Sequence, residues 1–275
     1  MRERIHSFMK VYHPQTSYQG MPAENVFHVA DDMGVEIGVG YVICFYQPDL
    51  FPERPMNLYI HMDAPPTARY ILFGALLARA KQMRDMYPHV KARIYSQAEP
   101  DDSRTCDFYL QNGFNLDDAE DVVRLSIPQE PVKVPMSMSI ANVPLNTEME
   151  QNYMLMRLNQ SRIAPLNLGY LDVCRQRPHF MALALYKGQN IVGEVLLTGE
   201  GYRCELVSMY ILPQFRRMGM GKALLHRAME LLKAEGVTQV TAAVLRRSPA
   251  QCALAQSFGA TFLKTISLYP GIDLE

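Results

Sequence analysis

The chain has 275 residues, 48% apolar and 20% charged, with a formal net charge of -1. That composition can bury a sizeable core and excludes a disordered chain, and the length fits one large domain or two of roughly 140 residues each. No apolar run reaches the roughly 18 residues of a membrane span, and the start Met1-Arg2-Glu3-Arg4-Ile5-His6 lacks the apolar stretch of a signal peptide. Five scattered cysteines (Cys44, Cys106, Cys174, Cys204, Cys252) show no disulfide framework, and the histidines form no cluster with metal-ligand spacing. A cytoplasmic protein with reduced thiols, no metal and no membrane contact is expected. Residues 1–135 hold 13 Lys+Arg against 18 Asp+Glu, whereas 136–275 hold 14 against 10, so the second half is the better home for an anion. Neither half has a dense basic stripe with interleaved aromatics, so nucleic acid is not an expected partner.

The first 24 residues show little periodicity. Hydrophobic patterning then predicts strands over 25–30, 35–45 and 57–62, a helix over 70–86, a strand over 89–96, a helix over 103–112 and a strand over 122–127. Pro128, Pro131 and Pro135 mark an extended connector, which puts a domain boundary at 132/133. A strand over 137–143 follows, and Thr147-x-x-Glu150 is a capping box that opens a helix to about 160. Next come a short helix over 168–175, strands over 180–186 and 190–197 joined at Lys187-Gly188-Gln189, and a strand over 204–212. A helix over 221–234, a strand over 238–245, a helix over 248–258 and a strand over 261–268 complete the order.

Four collinear matches relate the two halves. Val39-Gly40-Tyr41 answers Val192-Gly193-Glu194, Leu58-Tyr59-Ile60 answers Met209-Tyr210-Ile211, Ala75-Leu76-Leu77 answers Ala223-Leu224-Leu225, and Asn112-Gly113-Phe114 answers Phe258-Gly259-Ala260. The offset drifts slowly from 153 to 146, as a few short insertions would produce. The expected architecture is α/β of the α+β mixed-sheet kind. It has two tandem domains, 1–132 and 133–275, each a mostly antiparallel sheet flanked by helices.

Between the strand ending at Leu212 and the helix near Gly221 stands Pro213-Gln214-Phe215-Arg216-Arg217-Met218-Gly219-Met220-Gly221-Lys222. Pro213 ends the strand, Gly219 and Gly221 permit close backbone approach, and a helix N-terminus presents unpaired N–H groups, so the segment is suited to a phosphate or pyrophosphate. Arg216, Arg217 and Lys222 add positive charge. A Walker A loop fails because Arg216 and Ala223 occupy its glycine and hydroxyl positions, and a dinucleotide fingerprint fails at Leu224.

What remains, R-x-x-G-x-G after Tyr-Ile-Leu-Pro and before Lys-Ala-Leu-Leu, resembles the acetyl-CoA-binding motif of the GNAT superfamily of N-acetyltransferases. The element order over about 133–275 is similar to that fold, and 20–130 is similar to a lesser degree. The resemblance implies that backbone N–H groups from Arg217 through Met218, Gly219, Met220 and Gly221 to Lys222 cradle the CoA pyrophosphate. It also implies that Met209 and Ile211 offer main-chain hydrogen bonds to the pantetheine arm where their strand splays from the next.

Transfer of acetyl to an amine needs a proton acceptor and benefits from an acid for the thiolate. Alternation along Cys204–Ile211 puts Glu205 on one face with Val207, Met209 and Ile211, where apolar neighbours would raise its pKa and suit it as base. Tyr210, expected on the opposite face, is a second candidate, as acid. The tyrosine that the family often carries on its last helix is Ala255 here, and its asparagine is Ser248. The first copy keeps Tyr109 but has Ala64-Pro65-Pro66-Thr67 where the glycine loop should be, so it is expected not to bind CoA, with Tyr109 a core residue. Cys204 is read as a buried thiol rather than a nucleophile. The expected activity is direct transfer from acetyl-CoA to a primary amine of a small molecule or peptide, with the oligomeric state open to a homodimer. The alternatives are a non-catalytic CoA-binding scaffold, or an acyl or aminoacyl transferase using another donor.

Overall fold

A computed structural model describes residues 9–131, 133–135 and 137–274; the Met1–His6 start and Val132 of the connector lie outside them. In chain order the elements begin with β1 (Lys10–Tyr12), β2 (Val26–Ala30), β3 (Glu36–Tyr46), β4 (Met56–Asp63), α1 (Pro66–Asp85), β5 (Ala92–Tyr95) and α2 (Ser103–Gln111). They continue with β6 (Ala119–Leu125), β7 (Met138–Asn142), α3 (Glu148–Leu158), α4 (Leu168–Arg175), β8 (His179–Lys187), β9 (Asn190–Glu200) and β10 (Arg203–Ile211). The chain closes with α5 (Met220–Ala234), β11 (Gln239–Leu245), α6 (Pro249–Ser257), β12 (Thr261–Leu268) and β13 (Gly271–Leu274). Two compact units result: one of residues 9–48, 52–118 and 268–274, the other of 49–51 and 119–267. No helix of the described residues is long and apolar enough to cross a membrane.

The first unit carries a six-stranded sheet in the order β1-β2-β3-β4-β5-β13. Its first four strands pair antiparallel, and α1 then returns the chain so that β5 runs parallel to β4. Leu72, Phe73, Leu76, Ala80 and Met83 recur at helical spacing on α1 and pack with Val42, Leu58, Ile60 and Ile94 of the sheet. α2 starts where Asp102 accepts the Thr105 N–H at 3.0 Å and stops before Gly113, whose φ of +83° few other residues adopt.

The second unit carries a seven-stranded sheet in the order β12-β6-β11-β10-β9-β8-β7. On one face α5 buries Leu224, Leu225, Ala228, Met229 and Leu232 against Leu183, Val195, Val240 and Ala242. On the other, α3 and α4 bury Met154, Leu158, Leu171 and Cys174 against Ala182, Leu196 and Tyr210. The expected capping box is present in both directions, Thr147 to the Glu150 N–H and Glu150 back to the Thr147 N–H.

Three differences from the patterning have physical causes. β1 is a three-residue strand, too short to show a period. α1 starts four residues early because Pro66 is tolerated in the first helical turn. Most consequentially, the compact units do not follow the linear division at 132/133. β6 pairs antiparallel with β11, from Val240↔Leu125 to Leu245↔Glu120, and β13 pairs antiparallel with β5. β5 and β11 each run parallel to one neighbour and offer a second edge, which an antiparallel strand from a distant part of the chain closes. The connector lies along α5, where His226 Nε2 meets Glu130 O at 2.7 Å and Lys233 donates to Gln129 at 2.8 Å.

β13 also resolves a buried charge. Arg93 on β5 is 1% exposed, and its guanidinium meets Asp273 of β13 at 2.9 Å and the Asp117 carboxylate. Removing one partner of such a group leaves charge uncompensated. Asp273→Ala is expected to cost about 1–2 kcal/mol, since Asp117 remains, read as a lower urea midpoint at unchanged slope.

His179 at the start of β8 lies 3.0 Å from Glu235 by Nδ1 and 2.8 Å from Gly201 O by Nε2. Both partners are acceptors, which favours the doubly protonated ring, so the Glu235 hydrogen bond first and the Gly201 bond second raise its pKa above 6.5. The stabilisation is complete below the unfolded pKa and is lost as pH rises through the folded one. His179→Gln is therefore expected to lose more stability relative to the unsubstituted chain at about pH 5.5 than at about pH 8.5, in denaturant titrations at both values.

Candidate functional site

β10 and β11 run as parallel partners only from Arg203↔Gln239 to Leu206↔Ala242. Beyond that β10 keeps its antiparallel ladder with β9 as far as Ile211↔Gly193, while β11 keeps its ladder with β6 as far as Leu245. The two strands therefore part, and the β10 edge from Val207 to Ile211 faces a cleft without ladder bonds to β11. This is the splay expected beside Met209 and Ile211.

The parting coincides with a bulge between Leu206 and Ser208. A bulge inserts one residue and reverses the facing of everything after it. The expected alternation is corrected accordingly. Glu205 and Val207 point toward α3 and α4, but so does Tyr210, whereas Met209 and Ile211 lie toward α5, against Gly221. Glu205 and Tyr210 thus share a face, contrary to the strict period of two.

After β10 the chain makes a short 3-10 turn, Pro213–Phe215, and reaches α5 through Gly219. Arg217 and Gly219 both adopt positive φ, 58° and 76°. Gly219 serves as N-cap with no side-chain cap, and the first helical bond is Ala223 N–H to Gly219 O at 2.9 Å. The N–H groups of Met220, Gly221 and Lys222 consequently leave the helix end without intrahelical acceptors, at the positive end of the dipole. A Cβ on Gly221 would come 3.1 Å from Met209 Cε. Arg217, Met218 and Lys222 are exposed. Arg216 is committed inward: its Nε donates to Ile211 O at 2.7 Å, its Nη1 to Asp49 at 2.6 Å, and its guanidinium lies 5.3 Å from the centre of the Tyr210 ring.

Glu205 is half-buried and accepts a hydrogen bond from Tyr170 of α4 at 3.3 Å. Burial, and after it the Glu205 charge, pushes the Tyr170 hydroxyl up to about 12, so it stays a donor. Glu205 also lines a groove of about 820 Å³ with Thr198, Arg203, Thr241, Arg177 and Leu263. Tyr210 is buried, and burial first, then Asp49, raises its pKa. The Cys204 thiol is buried and pushed up to about 11 by that burial, which keeps it protonated.

Several groups near the cleft carried no motif. Arg162, in the irregular stretch after α3, donates to Val207 O at the point of parting and to Ala164 O at 3.0 Å. Gln251 of α6 donates to Ser161 O at 3.1 Å, and Ser161 meets Ser208 at 3.3 Å. Beneath them Arg157 of α3 grips the fully buried Glu194 of β9 through two bonds, 2.5 and 2.7 Å. Ser248 is fully buried at the start of α6, and its hydroxyl has no hydrogen-bond partner among the described residues.

The corresponding junction in the first unit has only Ala64 and Pro65 between β4 and α1, against eight residues in the second. It contains no glycine and presents a proline, without an N–H, at the first helical position. Tyr109 is buried in that unit's core and donates to Ser96 at 2.7 Å, as expected of a core residue.

Comparison with known proteins agrees with this geometry. The acetyltransferase (GNAT) family model matches residues 147–260. No curated protein matches the chain. Among solved structures, Eis1 from Mycobacterium abscessus is 10% identical with a TM-score of 0.55, over 95% of this chain and 73% of that one. A conserved protein of unknown function from Enterococcus faecalis V583, described as a probable N-acyltransferase, is 14% identical with a TM-score of 0.50, over 90% of this chain and 61% of that one. A GCN5-related N-acetyltransferase from Sphaerobacter thermophilus is 14% identical with a TM-score of 0.49, over 93% of this chain and 82% of that one. At such identity the first two speak for a shared fold. Residues 147–260, which hold the parted strands and the glycine-capped helix, are thus similar to the acetyltransferase (GNAT) family.

Proposed function

We propose that the second unit transfers an acetyl group from acetyl-CoA to a primary amine of a small molecule or peptide, directly, in a ternary complex. The observation that carries this reading is the β10 edge, Val207 to Ile211, without ladder bonds to β11 and followed through the glycine loop by the open end of α5. An extended amide-bearing arm needs main-chain partners of that kind, and a pyrophosphate needs N–H groups with a positive dipole end. The main chain of Met209 and Ile211 would hold the arm. The N–H groups from Arg217 to Lys222 would hold the pyrophosphate, with Arg217, Met218 and Lys222 at the solvent side.

The amine attacks the thioester carbonyl, a C–N bond forms and the C–S bond breaks. Glu205, which lines the groove and accepts from Tyr170, takes the proton that the nitrogen loses. Tyr210 is the candidate donor of a proton to the departing thiolate, on the same face as Glu205. The first unit, lacking the loop, is proposed not to bind CoA. The reading implies a soluble, cytoplasmic enzyme without a metal requirement.

Free-thiol release with acetyl-CoA and a panel of amines tests the activity; tight binding without turnover across the panel would favour a scaffold, which the alanine at position 255 motivates. Gly219→Glu places a carboxylate at the helix end and a side chain at positive φ, and is expected to weaken acetyl-CoA binding at least about tenfold by calorimetry. Intact affinity would mean that the pyrophosphate lies elsewhere. Glu205→Gln is expected to lower kcat about a hundredfold and to remove the pH limb of a base from the rate profile. An unaltered profile would relieve Glu205 of that role.

A further inference from the structure

Residues 49–51 lie between β3 and β4 in sequence yet pack within the second unit. Leu50 and Phe51 are 1% and 5% exposed, so the tripeptide is embedded rather than resting on a surface. Asp49 receives the Arg216 Nη1 at 2.6 Å, and the same guanidinium donates through Nε to Ile211 O, at the end of β10. Two residues further, the Phe51 ring takes the Arg247 guanidinium at 5.6 Å. Arg247 stands in the turn that carries β11 into α6. One tripeptide therefore grips both segments that leave the parted strands, the one after β10 by an ion pair and the one after β11 by a cation–π contact.

We propose that Asp49-Leu50-Phe51 is a strut that fixes the width of the donor cleft, with Asp49 a positioning residue acting through Arg216. The inference rests on the reading that this cleft holds acetyl-CoA. Two strand edges that face one another unpaired gain by closing, and something must hold them apart. The strut does so from the outer end, while Arg162 caps Val207 O at the inner one. It also fixes the direction of charge. With Arg216 tied to Asp49 and Ile211 O, the cationic side chains left facing solvent at the helix end are Arg217 and Lys222. This gives residues 49–51, which lie between β3 and β4 in sequence, a task in the donor site of the unit they pack within.

The test uses the full chain, calorimetry and steady-state kinetics with acetyl-CoA, and thermal unfolding of the same samples. Asp49→Asn is expected to raise Kd and KM for acetyl-CoA about tenfold while the acceptor KM stays within about twofold. Asp49→Glu should recover part of the affinity. The double variant Asp49→Asn/Arg216→Gln should be no worse than Arg216→Gln alone, because both remove one interaction. Phe51→Leu, read in the same way, keeps the test open if Asp49→Asn does not fold. Donor affinity unchanged in a folded Asp49→Asn, or one that falls together with acceptor affinity and melting temperature with no coupling to Arg216, overturns the strut. Failure of the unsubstituted chain to bind acetyl-CoA overturns the donor reading itself.

Discussion

The end of the parallel ladder at Leu206↔Ala242 is the constraint on which the site depends. While β10 and β11 are paired there is no cleft; once they part, a stretch of backbone is left with donors and acceptors pointing into open space. Folding tolerates this because the exposed groups are held from several sides. Arg162 satisfies Val207 O, the Arg216 guanidinium satisfies Ile211 O, and the ladder to β9 continues beneath. The bulge at the same point turns Tyr210 onto the face of Glu205 and leaves Met209 and Ile211 beneath α5. One extra residue thus sets both the side chains beneath the unpaired edge and the composition of the opposite face.

The second structural theme is exchange. Each sheet is closed by a strand from the other half of the chain, β6 beside β11 and β13 beside β5. The exchange is enforced by charge as well as by hydrogen bonds, since Arg93 is buried on β5 and Asp273 arrives only with β13. A wrong strand in that place would leave Arg93 with Asp117 alone.

Much of this was legible in the sequence where local chemistry decides the structure. Thr147 and Glu150 announced α3, the glycine-rich segment after Leu212 announced the open end of α5, and the drifting repeat announced two sheets of one kind. What was not legible depends on long-range pairing. A strand such as β6 has the same alternating pattern whichever sheet it joins, so the repeat led to a boundary at 132/133 that the compact units do not respect. The bulge at Val207 left no residue-type signature, and strict alternation misplaced Tyr210. Arg162 and Tyr170 come from a stretch without a motif and an ordinary short helix, and they meet the site only through tertiary packing. In sequence Arg216 stands as charge for an anion, whereas its partner Asp49 is far away along the chain.

The most direct measurement of the central claim is a crystal structure of the full chain with acetyl-CoA bound. The account predicts the pyrophosphate on the N–H groups at the start of α5, the pantetheine arm along the Val207–Ile211 edge, and the thioester within reach of the Glu205 face. Acetyl-CoA bound elsewhere, or β10 and β11 zipped together with the arm outside the cleft, would contradict it.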